Sequence, residues 1–595
     1  MRAASATSSG NRMPVEDSTA IPLPSARVAV NFLLPDSADA FRVATWGEIE
    51  PYYQELAARS LDESTVEQWL TDWSQLDSLV SEASTLAYFA YTCNTADAEA
   101  EAAQLRFGSE IEPKMAQQAA GLQKRLVDLG YDRPGLRTTV ERFRNQIELF
   151  RDENVPLVSE LSKLETEWSK VNGAMTVDWD GEQKTPPQLL PYLESPDRAV
   201  RERAFKLRAQ PYLEQRGVLA GIFDQMLAAR QQVGHNAGFA NYRDFVHREK
   251  NRFDYTPDDC MRFHEAVEET MRPATTRILE RRKQEMRVGE LRPWDITVDP
   301  HGRAPLRPFS DVREFIERTS DVVAHVDPDF RGYINTMAAA GMLDLENRKG
   351  KAPGGYSATL NDRKMPLIFM NAVGIDDDVK TMLHESGHAF HGFEASKLPL
   401  IFQRHPGSEM AEVASMSMEL LTSPYISAEQ GGYYSDDDAR RSIRELLEGV
   451  ILFFPHCASV DAFQHWIYTD EAGADADARD QKWLEVRRRF ESDVIEWSGL
   501  DRERIARWYQ QPHFFANPFY YIEYGIAQLG ALQVWRNSMS DSVNAVRNYR
   551  GALALGATER LPDLYGAAGA RLIFDSAGMQ ELTSVVEEQL DKLYN

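Results

Sequence analysis

Five consecutive residues constrain this chain more than any others: His384-Glu385-Ser386-Gly387-His388. On an α-helix, positions four apart lie one turn above each other on one face, so two imidazoles so placed can grip a single metal ion. Glu385, one position on, then lies beside a water that the metal would hold, where a carboxylate can accept a proton. The surrounding sequence supplies the helix this needs. Gly374 ends the preceding run, Asp376, Asp377 and Asp378 offer a cap and first-turn negative charge, and Val379, Met382, Leu383, Ala389 and Phe390 give a surface to bury.

A short pattern recurs by chance, so it needs a third ligand, and a second helix offers one. Ser408 to Glu419 reads as helical and stops at Ser423-Pro424, with Glu412, Ser415 and Glu419 on one stripe. Glu412 follows His388 by 24 residues, enough for the first helix to end, a loop to turn at His405-Pro406-Gly407 and the second helix to return alongside. Two histidines and a carboxylate leave one position of a tetrahedral zinc open for water, as catalysis requires. Glu409 competes for the ligand role but would face away from Ser415 and Glu419. Ser415 and Glu419 are candidates for steadying the ligand imidazoles through their free ring N–H groups. His391 is expected to pack or to support the ligands, His405 to face solvent, and His456 to line the core or a channel wall.

Composition narrows the setting. A length of 595 residues predicts two domains or subdomains, and 27% charged with 43% hydrophobic residues is ordinary for a soluble globular chain. The formal net charge of -26 speaks against nucleic-acid and anionic-membrane partners. Cys93, Cys260 and Cys457 are too widely spaced for a disulfide framework, and no run approaches the ~20 apolar residues that span a bilayer. The Ser-, Ala- and Pro-rich start lacks the apolar stretch of a secretory signal and is expected to be a floppy tail over 1–30. A cytoplasmic protein is the expectation; oligomeric state is not specified.

From 41 to 153 the pattern is helical, and Val177 to Glu182 alternates with a turn signal, predicting a short hairpin. Pro186-Pro187 follows, so the chain is divided into a helical amino-terminal domain over 31–190 and a second domain over 191–595. Further helices are predicted over 195–232, 257–288, 310–326, 437–453, 480–497 and 524–538. The run Pro353-Gly354-Gly355-Tyr356-Ser357 is a glycine-rich loop, and Pro366 to Asn371 reads as a strand feeding the metal-binding helix. That strand is either buried in the core or an edge strand pairing with an extended peptide. Last comes His513, then Tyr520, Tyr521 and Tyr524, where a phenol or imidazole could donate to a developing oxyanion. Tyr521 and Tyr524, three apart, share a helical face.

These pieces, in this order, resemble the M3 (thimet oligopeptidase) family of zinc peptidases, and most closely its oligoendopeptidase F branch. The match is strong over about 195–590 and weaker over the amino-terminal part, which resembles that branch's accessory domain. The resemblance implies a mostly α, two-lobed fold with a deep substrate channel and a small β-sheet next to the zinc helix. It implies one Zn2+ held by His384, His388 and Glu412, with Glu385 as general base and oligopeptides as substrates. It further implies that His513 and a tyrosine act on the transition state, Tyr524 being the first choice and Tyr521 the second. Gly354, Gly355, Tyr356, Asn371 and Tyr520 are then expected to bind substrate. The sequence departs from the thimet-type pattern in its shorter gap from His513 to the tyrosines and in Tyr520 beside Tyr521. Internal cleavage of short peptides is the expected activity. A carboxypeptidase or dipeptidyl carboxypeptidase is the nearest alternative, and a non-catalytic peptide-binding protein the more distant one.

Overall fold

The computed structural model describes residues 33–594, so the expected tail over 1–30 lies outside the described residues. The protein is mostly helical with two small sheets, as expected. Helices from Trp46 to Leu149 bury a core of their own, in which Trp69 and Trp73 from α1 (Val66–Cys93) meet Phe107, Ile111, Leu122 and Leu126. Each such side chain removed from water contributes about 1.5–3 kcal/mol. This core is tied to the rest of the chain at several places, one of them at residues 401–402. Trp73 packs on Phe402 at 4.4 Å, and Ser74 Oγ accepts from the Ile401 N–H at 2.8 Å.

The predicted hairpin is present: β1 (Val177–Trp179) pairs antiparallel with β2 (Glu182–Lys184). Asp180 and Gly181 both take positive φ (56° and 87°), the conformation a two-residue turn with the right-handed strand twist requires. The larger sheet has the order β3 (Leu343–Glu346), β5 (Met365–Ala372), β4 (Tyr356–Leu360). β5 is parallel to β3 and antiparallel to β4, with Tyr356 opposite Phe369 and Leu360 opposite Met365. The 366–371 run is therefore the central strand, and the edge reading is corrected. Six consecutive buried residues, Met365 to Met370, explain why: a strand covered on both faces is flanked, not exposed. The edges are β3 and β4, and β4 takes up Tyr356 and Ser357 from the stretch read as a loop.

β5 leads through Gly374 (φ 83°) into α2 (Asp376–Ala395). The entry is fixed by Asp378, whose Oδ2 accepts from the N–H groups of Val373, Gly374 and Ile375 at 2.7–2.9 Å. Asp376 instead turns toward residues later in the chain, accepting from Tyr434 and Ser442 at 2.7 Å each and pairing with Lys380 at 2.7 Å. α3 (Ser408–Thr422) then crosses α2 at very short range. A Cβ at Gly387 would stand 2.5 Å from Ala414 O and from Ser415 Cα, so only glycine lets the two helices approach this closely.

Elsewhere the helices follow the predicted spans with three differences, the first being that 195–232 is two helices, Arg198–Glu214 and Arg216–Asn236. The 480–497 helix stops at Phe490, and the 437–453 helix extends to the 34-residue α4 (Asp436–Thr469). α4 runs through Pro455 because it is packed along its length, with Phe454, Cys457, Ala458 and Val460 all buried. Burial offsets the ring's local cost to the helix. By length and hydropathy α4 alone among the described helices could cross a membrane, yet 67% of that window is buried inside the protein. The last element at the site is α5 (Tyr521–Ser540), which lies against α3.

Candidate metal centre and active site

His384 and His388 from α2 and Glu412 from α3 bring their donor atoms within 4.8 Å of one another. Glu412 Oε2 stands 3.4 Å from His384 Nε2 and 3.7 Å from His388 Nε2, too far apart to satisfy one another fully yet all facing one point. Each donor is held from behind. Glu419 Oε1 accepts from His384 Nδ1 at 2.7 Å, and His388 hydrogen-bonds the Ala411 carbonyl. Ser415 Oγ donates to Glu412 Oε2 at 3.0 Å. Ser415 thus steadies the carboxylate and not an imidazole, which corrects the expectation for it. It sits three residues after Glu412, one turn on, and its hydroxyl lies 3.0 Å from both the backbone carbonyl and the carboxylate of Glu412. Glu419 has the expected partner.

The electrostatics describe a place short of a cation. Burial works against a charged His384, but Glu412 and Glu419 outweigh it and hold its pKa well above the ordinary imidazole value. His388, where burial dominates, falls to about 4 and is a neutral donor. Burial would raise Glu412, yet its bond to His384 and the neighbouring imidazoles keep it lowered. Glu385 is buried and pushed up to about 7, first by desolvation and then by Glu412 and Glu419, while His384 and the Ser357 N–H pull it down. Its Oε2 has no hydrogen-bond partner among the described residues. A divalent cation held by the three donors would relieve all of this at once.

Glu409, the rival ligand, is elsewhere: its Oε1 accepts from Tyr255 Oη at 2.7 Å, next to Arg252 and Glu523. His391 is buried with its Nε2 unpartnered among the described residues, and His405 is exposed. His456 accepts from Arg487 Nη1 at 3.0 Å. A second trio, His247, Cys260 and His465, also gathers donor atoms within 4.8 Å. Arg252 donates to His247 Nε2 at 3.1 Å, which places the ring proton on Nδ1 and a cation beside the trio, so it is a poor metal site.

The structure brings His513 and all three tyrosines together at the start of α5. Tyr520 Oη reaches Glu412 Oε1 at 3.3 Å, and its ring is 5.0 Å from Tyr524 and 5.9 Å from His513. Tyr521 is 5.5 Å from Tyr524 but packs on Phe453 (6.0 Å) and His456 (5.4 Å). His513 Nδ1 is bound by Gln511 at 2.6 Å, and burial, then Lys250, lowers its pKa to about 4. Lys250 was not singled out from the sequence. Its ammonium lies 5.2 Å over the Tyr520 ring and donates to Asn517 at 2.9 Å, and nothing in its local sequence signals this.

The residues expected to bind substrate are placed around the loop and β4. Tyr356 Oη shares a 2.8 Å hydrogen bond with Thr92 Oγ1, and its ring stacks on Phe369 at 5.0 Å. Asn371 Nδ2 donates to the Ala352 and Gly354 carbonyls at 2.8 and 2.9 Å, bracing the glycine loop. Gly354 needs its φ of 97°, and a Cβ on Gly355 would press on Thr381 of α2 at 3.3 Å.

A helical fold with two histidines and a glutamate converging beside a free carboxylate is that of a metallopeptidase. Comparison with known proteins gives the family. Peptidase family M3 matches residues 191–584, and the peptidase M3 N-terminal domain matches residues 40–142. The chain belongs to peptidase family M3. It is 21% identical over 430 residues to oligopeptidase PepF of Bacillus subtilis, covering 70% of this chain and 61% of that protein. The chromosomal oligoendopeptidase F of Lactococcus lactis subsp. cremoris is 21% identical over 309 residues, 50% of this chain and 48% of that protein. The matched stretches thus span about half to three fifths of these relatives' length. Among solved structures, PZ peptidase A with inhibitor 2 superposes with a TM-score of 0.84 at 25% identity, over 92% of this chain and 98% of that one. Oligoendopeptidase-F from Enterococcus faecium shares the fold, with a TM-score of 0.62 at 16% identity over 94% of this chain and 99% of that one.

Proposed function

We propose that the chain is a zinc-dependent endopeptidase that hydrolyses internal bonds of short oligopeptides, with His384, His388 and Glu412 as ligands and Glu385 as general base. The observation that carries this reading is the grouping of three donor atoms within 4.8 Å beside a buried carboxylate with one oxygen unpartnered. Two imidazoles and a carboxylate are donors zinc accepts, and three protein ligands leave a position open. When bound, such an ion acidifies a water to a pKa near 7 and polarises the scissile carbonyl.

The residues of the chain do the rest. Glu385 takes the proton of the attacking water on its free oxygen and passes it to the leaving amine. β4, with a strand partner on one side only among the described residues, offers its main chain to an extended peptide beside Glu385. Tyr524 donates to the oxyanion, Tyr520 and His513 line the approach, and Tyr521 fixes the cluster against Phe453 and His456. Tyr524→Phe is expected to lower kcat roughly ten- to a hundredfold with KM nearly unchanged, less than an isolated oxyanion donor is worth because a cation shares the charge. A loss under twofold would pass the role to Tyr520.

Digestion of free and end-blocked peptides, short and long, before and after chelation, tests the function. Internal cleavage of the short ones, abolished by chelator and restored by zinc with long chains spared, is expected. Release of terminal residues alone would favour the carboxypeptidase reading. A zinc-loaded protein that cleaves nothing would be a peptide-binding protein.

A further inference from the structure

Behind the tyrosine cluster lies a cavity of about 350 Å³ with His456 in its wall, and the same imidazole meets the Tyr521 ring edge-on at 5.4 Å. Its lining combines apolar Leu193, Phe205, Leu279 and Ile495 with Arg208, Arg487 and Arg507. The three arginines differ in what they are doing. Arg487 is committed: it donates to His456 Nδ1 at 3.0 Å and pairs with Glu491, which also takes Arg504. Arg208 uses its Nε on the Pro186 carbonyl at 3.2 Å. Arg507 has neither a hydrogen bond nor an ion pair among the described residues, only the face of Trp497 at 5.8 Å. Glu503, also in the wall, is not within ion-pair distance of it.

A half-buried guanidinium with no carboxylate in direct contact, only Glu491 acting on it from a distance, is costly, and it is out of keeping with a chain whose formal net charge is -26. Burial and the neighbouring Arg487 push Arg507 down to about 10 although Glu491 pulls the other way, so the cluster is short of negative charge. We propose that the cavity receives the carboxylate-bearing end of a peptide, Arg507 pairing with the carboxylate while the apolar wall takes the side chain of the same residue. This rests on the peptidase reading above. A carboxylate can come from a chain terminus or from an Asp or Glu side chain. The mixed lining favours the terminus, since a last residue brings both a carboxylate and a separate apolar side chain, whereas an acidic side chain brings its charge alone.

The test is binding, read without turnover. Metal-loaded Glu385→Gln protein is titrated calorimetrically with one peptide ending in leucine as the free acid, the same peptide as the amide, and an amide ending in aspartate. The free acid is expected to bind about tenfold or more tightly than its amide, as a charge-assisted, bidentate contact to a partly desolvated guanidinium should. Adding Arg507→Gln should abolish the difference, and Arg507→Lys, which keeps the charge without the planar fork, should retain part of it. Equal affinities for acid and amide would overturn the proposal, as would a difference that survives Arg507→Gln. An aspartate amide as tight as the free acid would keep the arginine's role and assign the carboxylate to a side chain. Selective binding by a wild-type protein that cleaves no peptide would sink the peptidase reading and leave this one standing.

Discussion

Replacing Glu385 with glutamine is expected to lower kcat by ~10³-fold or more, about 4 kcal/mol of barrier, while bound metal stays in place. Glutamine is nearly isosteric and keeps an oxygen for the Ser357 N–H that Glu385 accepts. What it cannot do is take a proton from water, and no neighbour is placed to do so instead. Glu412 is turned to the two imidazoles, and Glu419 is bound to His384 Nδ1 at 2.7 Å. Burial already disfavours the ionised form of Glu385, so the substitution removes a charge that the fold does not need. Melting temperature and metal content should therefore match wild type while turnover collapses. Retention of more than a tenth of wild-type kcat would remove Glu385 from the role of base.

How much of this was readable in advance depended on whether local geometry or tertiary packing decides. The four-residue spacing of His384 and His388 fixes one face whatever surrounds it, and the stripe of Glu412, Ser415 and Glu419 separates itself from Glu409 in the same way. The close crossing of α2 and α3 was not legible, because nothing in the residues around Gly387 says that Ala414 will lie against it. Nor was sheet order: Pro366 to Asn371 looks alike as an edge or a centre until β3 and β4 are seen to flank it. The same holds for Ser415, whose hydroxyl could have reached an imidazole and instead reached the carboxylate one turn back. At the tyrosines, spacing gives a shared face, but Phe453 and His456 decide that Tyr521 packs while Tyr520 reaches Glu412. Arg507 lies further still from sequence, since an unpaired arginine is visible only once every possible partner has been placed.

Glu412→Ala should act on the metal rather than on the chemistry, and the size of its effect separates a ligand from a support. Without the carboxylate, His384 and His388 remain as two imidazoles four residues apart, and affinity for the ion is expected to fall about a hundredfold or more. That exceeds the ten- to hundredfold typical of losing a supporting group. Glu419→Gln gives the comparison: the amide still accepts from His384 Nδ1 but without charge, so a loss nearer tenfold is expected there. Glu412→Ala has a second consequence, because Tyr520 Oη loses the acceptor it reaches at 3.3 Å, while Ser415 Oγ keeps the backbone carbonyl of residue 412 at 3.0 Å. Folding stability need not fall in step, because removing a buried carboxylate also removes its desolvation cost. Metal titration with a chromophoric chelator competitor, run beside thermal melts of the metal-free proteins, separates the two effects. Zinc affinity unchanged in Glu412→Ala would mean that the third donor lies elsewhere, and the helix crossing at Gly387 would then serve packing alone.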